Sequence, residues 1–239
     1  MTSHFEIESI QYDFHQLDNL NYIIQKMNEY IQKVGREKSI RSQKFIRHLH
    51  LCVGINLHKK LGIPEHWIKY EVKLKNKNVD LAIINDKDEI LFAISIRSQI
   101  ASVKKNFTNN INSLQGEVVG LKSLYPGLKV GLIYLYCATD WETNDNLLPY
   151  YNEQIPRKLF PLINTYTPTN DRFDAASILL FETYIQKNFP IPDIFKVYNF
   201  DNFLEDVKEN LSVQSPSYQQ DLKKLYDIQS IRKFLSPNN

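Results

Sequence analysis

The chain has 239 residues, 43% of them hydrophobic and 23% charged, a composition that is typical of globular proteins and argues against extensive disorder. Seven glycines are few for a sandwich or barrel that needs many tight turns. No apolar run approaches the roughly 20 residues that span a bilayer, and the first residues lack the basic and apolar regions of a signal peptide. Cys52 and Cys137 lie in apolar segments, which predicts buried free thiols. We therefore expect a cytoplasmic protein without a membrane partner.

Positive charge is concentrated between residues 36 and 77. Eleven lysines and arginines against three glutamates give this segment a net charge of +8, which leaves −6 for the rest of a chain whose total is +2. Such asymmetry favours a side that faces a polyanion, although a solvated helix face would carry the same pattern.

Apolar residues at helical spacing dominate residues 1–66, which we predict to form an N-terminal helical region packed on a core. One helix is predicted between Asp13 and Val34 and a second between Ser42 and Leu61, each followed by a glycine.

Residues 67–190 are predicted to form an α/β core. Alternating apolar and polar residues over Ile68–Lys75 predict a half-exposed strand. The β-branched runs Val79–Ile84 and Ile90–Ile96 are joined by a polar turn and predict a hairpin buried on both faces.

The rest of the core and the C-terminal region complete the predicted fold. A helix over Asn109–Leu124 and a strand over Lys129–Tyr136 indicate a parallel crossover. Residues 138–169 are polar and predict a surface excursion, after which Phe173–Asn188 is predicted to be helical. Residues 191–239 are predicted to form a C-terminal helical region. The fold class is therefore α/β, with a mixed central β-sheet flanked by helices.

Three polar residues interrupt the apolar strands of the hairpin. Asp80 lies among Val, Leu, Ala and Ile, where a carboxylate is costly to bury unless it is paired or binds a metal. Ser95 and Arg97 are two residues apart and so share one face of their strand. An antiparallel hairpin places position 80 opposite about position 93, close to Ser95 on the same face. We expect a carboxylate, a hydroxyl and a cation to converge where a phosphate could bind, unless Asp80 is a solvated cap of the turn.

Two further carboxylates could join Asp80 at a divalent ion. Such an ion activates water and neutralises charge during phosphodiester hydrolysis. Glu71 lies on the exposed face of the preceding strand, and Glu117 lies at the border of the buried face of the following helix. Both also fit ordinary solvated charges, so the sequence leaves the second metal ligand open. Mg²⁺ is the expected ion because it takes only one or two carboxylates besides waters and substrate oxygens.

A polar and basic segment leads from the hairpin into the next helix. Lysines and helix N-terminal amides bind phosphates, and Asn and Gln can contact adenine or backbone oxygens. We predict DNA contacts from this segment, although an ordinary capped helix start would look similar. The residues concerned are Ser98, Gln99, Lys104, Lys105, Asn106, Asn109 and Asn110.

The order of these residues resembles the PD-(D/E)XK nuclease superfamily and, within it, the type II restriction endonucleases. The resemblance covers Ile68–Tyr136, roughly a third of the chain, and implies a restriction-endonuclease-like core in which Asp80 binds the metal. Ser95 and Arg97 stand where the family usually has Glu and Lys. Some members with this core have Ser at the first of these positions and take the second carboxylate from the following helix, a role that would fall to Glu117.

The resemblance implies a Mg²⁺-dependent, sequence-specific endonuclease for double-stranded DNA, with Asp80, Ser95, Arg97 and Glu117 as catalytic residues. We would expect it to be a homodimer with a cognate DNA methyltransferase in the same system. The Ser and Arg departures also fit a DNA-binding module of a defence system that has the fold without catalysis. A helical interaction protein whose sheet is only a core is the third alternative.

Overall fold

The structure, a computed structural model, describes residues 4–163, 171–211 and 228–236. The chain divides into a sheet unit, His66–Val213, and a helical unit made of Met1–Glu65 and Gln214–Asn239. The predicted boundary at residue 66 lies within one residue of this division. The predicted C-terminal region, residues 191–239, is divided between the two units. Residues 191–213 belong to the sheet unit and residues 214–239 to the helical unit.

The helical unit contains a short hairpin and several helices. These elements are β1 (His4–Ile7), β2 (Ile10–Asp13), α1 (Leu20–Val34), α2 (Arg36–Arg41), α3 (Gln43–Leu61) and α10 (Ile228–Leu235). The two predicted helices are confirmed as α1 and α3, although α1 starts at Leu20, where Asn19 accepts a hydrogen bond from the Tyr22 amide. The antiparallel β1–β2 hairpin was not predicted, because strands of four residues carry little periodic signal.

A five-stranded mixed sheet forms the centre of the sheet unit, with the order β3-β4-β5-β6-β7. Its strands are β3 (Ile68–Leu74), β4 (Lys77–Ile84), β5 (Ile90–Gln99), β6 (Lys129–Tyr136) and β7 (Ala175–Leu180). Strands β3, β4 and β5 are antiparallel, whereas β5, β6 and β7 are parallel. The predicted α/β class, hairpin and parallel crossover are therefore confirmed.

The helices of the sheet unit are α4 (Val103–Leu124), α5 (Leu148–Gln154), α6 (Phe160–Ile163), α7 (Glu182–Ile185), α8 (Asp193–Val197) and α9 (Phe200–Leu211), with a π-helical turn at Ile155–Leu159. The helix predicted over Phe173–Asn188 is wrong, since this segment supplies strand β7 before the short α7. All six residues of β7 are buried. A short continuous apolar run has no period that separates a buried strand from a buried helix.

Helices α4 and α9 provide contacts on the two faces of the sheet. On one face, called here the site face, the ring of Phe107 in α4 lies 6.3 Å from that of Tyr136 in β6. On the other face, Phe203 of α9 packs against Gly131, where a Cβ would lie 3.0 Å from the Phe203 ring and 2.9 Å from Phe92. Glycine is therefore required at this position for close packing. Both cysteines are buried and free, as predicted.

Candidate active site

A row of polar side chains crosses three strands on the site face. The register of β3 with β4 places Glu71 opposite Asp80, and that of β4 with β5, continued by one residue, places Asp80 opposite Ser95. The predicted partner position for Asp80, near 93, is wrong by two residues: the turn places Ile84 opposite Ile90 instead of position 89, and the irregularity between Ile83 and Ile84 adds one more residue. An even-numbered error preserves the face of every side chain, so the predicted convergence of Asp80 and Ser95 holds.

Asp80 is partly buried and bound by the backbone of the neighbouring strand. Its Oδ2 accepts a hydrogen bond from the Ile96 amide at 2.6 Å, just beyond the last paired residues of the β4–β5 ladder. Burial raises the pKa of Asp80, and the negative charge of Glu71 acts in the same direction. The Ile96 amide and Arg97 oppose this shift without cancelling it. Asp80 is therefore not a solvated cap of the turn.

Glu71 has a strained backbone in the middle of β3. Its φ angle is +51°, in the left-handed region, and its side chain is exposed opposite Asp80. A non-glycine residue in this region costs on the order of 1–3 kcal/mol, and such residues cluster at functional sites. The strain marks Glu71 as a position of interest, and the electrostatic effect of its carboxylate on Asp80 places it within the same polar row.

Arg97 and Glu117 form an ion pair beside this row. Arg97 Nη2 donates to Glu117 Oε2 at 2.5 Å. The Glu117 side chain is 10% exposed, as the predicted border position requires, whereas that of Arg97 is 45% exposed. Burial disfavours the charged guanidinium, but the charges of Glu117 and Asp80 outweigh this effect and raise the pKa of Arg97. The predicted catalytic residues are thus brought together on the site face.

Two buried oxygen atoms at this site are without hydrogen-bond partners among the described residues. They are Ser95 Oγ and Glu117 Oε1, in residues that are 1% and 8% exposed. Buried polar atoms are nearly always paired, so each of these oxygens has capacity for a further hydrogen bond.

Glu71 fits the role of second magnesium ligand beside Asp80 better than Glu117 does. Glu117 is held by Arg97, whereas Glu71 faces Asp80 and acts on its pKa. Within the described residues, no group of three or more His, Cys, Asp and Glu side chains is arranged to hold a metal ion. Mg²⁺ does not require three, because waters and substrate oxygens complete its octahedron. The structure therefore favours Asp80 with Glu71 over the pairing of Asp80 with Glu117 that the resemblance implies.

Asp140 occupies two backbone amides at the start of α4. Asp140 accepts hydrogen bonds from the amides of Ser102 at 3.2 Å and Val103 at 2.7 Å. Burial tends to raise the pKa of Asp140, but these and two further backbone hydrogen bonds lower it overall, so the carboxylate is a stable internal cap. A carboxylate therefore occupies two of the amides at this helix start, and phosphate contacts from Lys104 and Lys105 stay a prediction.

The predicted DNA-contacting residues differ in exposure. Gln99 is buried, and it donates to the Val103 carbonyl at 3.2 Å and accepts from the Tyr134 hydroxyl at 3.0 Å, which makes it structural. Lys104 is exposed and forms an ion pair of 2.9 Å with Asp145. The remaining residues are exposed (Ser98, Lys105 and Asn109) or half-buried (Asn106 and Asn110).

Sequence reasoning missed two lysines that flank Glu71. Lys69 and Lys73 are exposed, and the register that pairs them with Ala82 and Asn78 puts them on the site face. The alternation of β3 contained this signal, because residues 69, 71 and 73 must share a face. The polar row is thus bordered by positive charge.

No protein-family model, no curated protein and no solved structure matches this chain. In the part of the chain that the structure describes, every helix is too short or too polar to cross a membrane.

Proposed function

We propose that this chain is a Mg²⁺-dependent endonuclease of the restriction type that acts on double-stranded DNA. The observation that carries the proposal is the placement of Glu71, Asp80, Ser95 and Arg97 on one sheet face, with Glu117 of α4 paired to Arg97. The antiparallel β3-β4-β5 unit, the crossover helix α4 and the parallel strand β6 have the order that the superfamily resemblance implies.

Each side chain has a role that its environment allows. Asp80 and Glu71 would hold the metal ion, which supplies an activated water and compensates negative charge on the phosphate. Arg97 is half-exposed and permanently charged, so it can bind the non-bridging oxygens while water attacks phosphorus and the bond to the leaving oxygen breaks. Glu117 fixes the guanidinium in position. The buried Ser95 hydroxyl can donate a hydrogen bond to a metal-bound water or a phosphate oxygen.

The restriction-type assignment includes further expectations. A homodimer would supply one site for each strand of the duplex, and a cognate DNA methyltransferase would protect the host sequence.

The proposal is tested by cleavage of an unmodified plasmid in Mg²⁺. We expect cutting by the wild-type chain and a loss of about 100-fold or more in Asp80→Ala, the scale of removing a central electrostatic group. The matched control is Asp86→Ala, which alters an exposed aspartate in the turn of the same hairpin. Equal cleavage by Asp80→Ala and wild type would remove Asp80 from the mechanism.

A second candidate function is DNA binding by a nuclease fold that lacks catalysis. The Arg97–Glu117 ion pair favours it, because a carboxylate tied to arginine is less available to a metal, and Arg97 cannot act as a general base. This candidate predicts salt-sensitive duplex binding without cleavage in Mg²⁺ or Mn²⁺. Absence of any DNA binding would contradict both candidates.

A further inference from the structure

The outer face of α4 has an unusual composition for a solvent-exposed helix. Its exposed positions include two lysines, three amides and three hydroxyl side chains, and none is acidic. These positions are Lys104, Lys105, Thr108, Asn109, Asn112, Ser113, Gln115, Gly116, Val119 and Ser123. The one carboxylate in α4, Glu117, turns inward to Arg97. Lys104 is paired with Asp145, whereas Lys105 has no carboxylate partner among the described residues, so Lys105 is the cation that this face offers to a polyanion.

Helix stability does not explain this choice of residues. Asn, Ser and Thr are weaker helix formers than Ala, Glu or Lys, and an interior glycine is weaker still. The side chains of Asn109, Asn112 and Ser113 form no hydrogen bond, ion pair or ring contact with other described residues. Their polar groups thus contribute little to the fold, and they remain available to a ligand.

Helical periodicity arranges these residues into a stripe on the side of α4 opposite its buried residues. Lys105, Asn109, Asn112 and Gly116 follow one another at intervals of four, three and four residues, so they share one line along the helix. A Cβ at Gly116 would meet nothing within 4 Å, which leaves open space immediately before Glu117. A backbone that approaches the site can pass close to the helix at this point.

We propose that this stripe is the base-reading surface of the protein, and that Asn109 and Asn112 determine its DNA sequence preference from the major groove. The inference rests on the proposed function, which supplies the duplex substrate. Asn can bind the N6 and N7 edge of adenine in two hydrogen bonds, and Lys105 would hold an adjacent phosphate. B-DNA admits a helix into its major groove, whereas the deep, narrow major groove of duplex RNA does not, so the occupant is DNA.

The helix also limits where the contacted bases lie. Asn112 and Asn109 precede Glu117 by five and eight residues, a rise of about 7.5 Å and about 12 Å along the axis. At about 3.4 Å per base pair, this rise along the helix axis corresponds to about two to four base-pair steps.

The test is selection of bound duplexes from a randomised DNA pool, with every protein carrying Asp80→Ala so that cleavage does not consume the pool. We expect Asn109→Ala and Asn112→Ala each to reduce discrimination at one or two base positions by about ten- to a hundredfold. Lys105→Ala should weaken binding to all sequences and lower the salt dependence by about one phosphate contact. Asn152→Ala, an exposed asparagine on α5, is the control and should leave the preference unchanged.

Thermal unfolding separates recognition from folding, because alanine is the better helix former. Asn109→Ala and Asn112→Ala should raise Tm by about 1–2 °C while they lower discrimination. A merely structural role would move both quantities downward. Retained DNA binding with an unchanged preference would overturn the inference and leave the proposed function standing. Absence of DNA binding by the wild-type chain as well would overturn both, and equal affinity for duplex RNA would overturn the major-groove assignment.

Discussion

Helix α4 holds two ionic centres that differ in how completely their charges are satisfied. Near its C-terminus, Lys122 lies 2.9 Å from Asp174, and both side chains are less than 10% exposed. Asp174 is also bound by the Val130 amide and by Lys129, and Lys122 donates to the Arg172 carbonyl. Five residues earlier, Glu117 has one oxygen on the half-exposed Arg97 and its other oxygen without a hydrogen-bond partner among the described residues.

The difference separates a structural centre from a candidate site. A buried pair with every partner in place stabilises one arrangement and has no capacity left for a ligand. A pair with an unsatisfied oxygen and a solvent-facing cation can exchange partners with little reorganisation. The four predictions below test this distinction, beginning with the largest effect.

Removal of Asp174 should strongly destabilise the protein. Asp174→Ala leaves Lys122 buried without its counter-charge, which typically costs about 3–5 kcal/mol. The free energy of unfolding in urea measures the loss. The control is Asp193→Ala, whose ion pair with Lys196 is solvent-exposed and should contribute nothing measurable. If Asp174→Ala unfolds like wild type, the centre is not structural.

The two partners of the Arg97–Glu117 pair should differ in their contributions to stability. Arg97→Gln leaves a buried carboxylate uncompensated and should cost about 1–3 kcal/mol. Glu117→Gln keeps the shape of the side chain and leaves only a half-exposed guanidinium that water can solvate, so we expect less than about 1 kcal/mol. Chemical unfolding of both variants under the same conditions checks the order. A larger loss in Glu117→Gln would contradict the burial argument.

Metal binding should depend on Glu71 more than on Glu117. Glu71→Gln removes the carboxylate opposite Asp80 and should weaken Mn²⁺ binding about tenfold or more, whereas Glu117→Gln should change it by less than about threefold. Titration followed by electron paramagnetic resonance measures free Mn²⁺ directly. Glu89→Gln, in the exposed turn of the β4–β5 hairpin, is the control. The reverse order would restore the assignment of Glu117 as the second ligand.

Sequence patterns predicted the strands of this site more accurately than its contacts. The β-branched runs of β4 and β5 have a clear two-residue period at their polar ends, so the common face of Ser95 and Arg97 followed directly. The choice between Glu71 and Glu117 as the second metal ligand did not follow from the sequence, because it depends on strand register and on the direction of the Arg97 side chain. Neither property is a local feature of the chain.

The other differences from the sequence analysis have similar causes. Asp140 binds the start of α4 from almost forty residues away, and no spacing rule links the two segments. The Ala175–Leu180 run is apolar at every position, so its periodicity could not distinguish a strand from a helix. Helix α3 was predicted to within one residue, because Ser42 caps its start and Gly62 ends it in the left-handed region. The starts of α1 and α4 were predicted seven and six residues away from the observed ones.

The smallest predicted effect is an increase in stability when Asp80 loses its charge. The folded protein raises the pKa of Asp80 above the usual 3.8, chiefly through burial, so it binds a proton more tightly than the unfolded chain does. An ionised Asp80 therefore lowers stability at neutral pH, and this penalty disappears as the pH falls through the folded pKa towards 3.8. Asp80→Asn can still accept the Ile96 hydrogen bond without the charge. We expect it to be more stable than wild type at pH 7 by on the order of 1 kcal/mol.

Unfolding of wild type and Asp80→Asn across a pH series distinguishes this effect from a change in packing. The difference in the free energy of unfolding between Asp80→Asn and wild type should become smaller as the pH is lowered, because wild-type Asp80 becomes protonated. Asp86→Asn should show the opposite sign, since the neighbouring Trp67 and His66 side chains lower the pKa of that exposed carboxylate. A destabilised Asp80→Asn would mean that the carboxylate is satisfied like Asp174. In that case the protein itself would satisfy the charge and hydrogen bonds of Asp80, as it does for Asp174. The burial of Asp80 would then be no argument that it binds a metal.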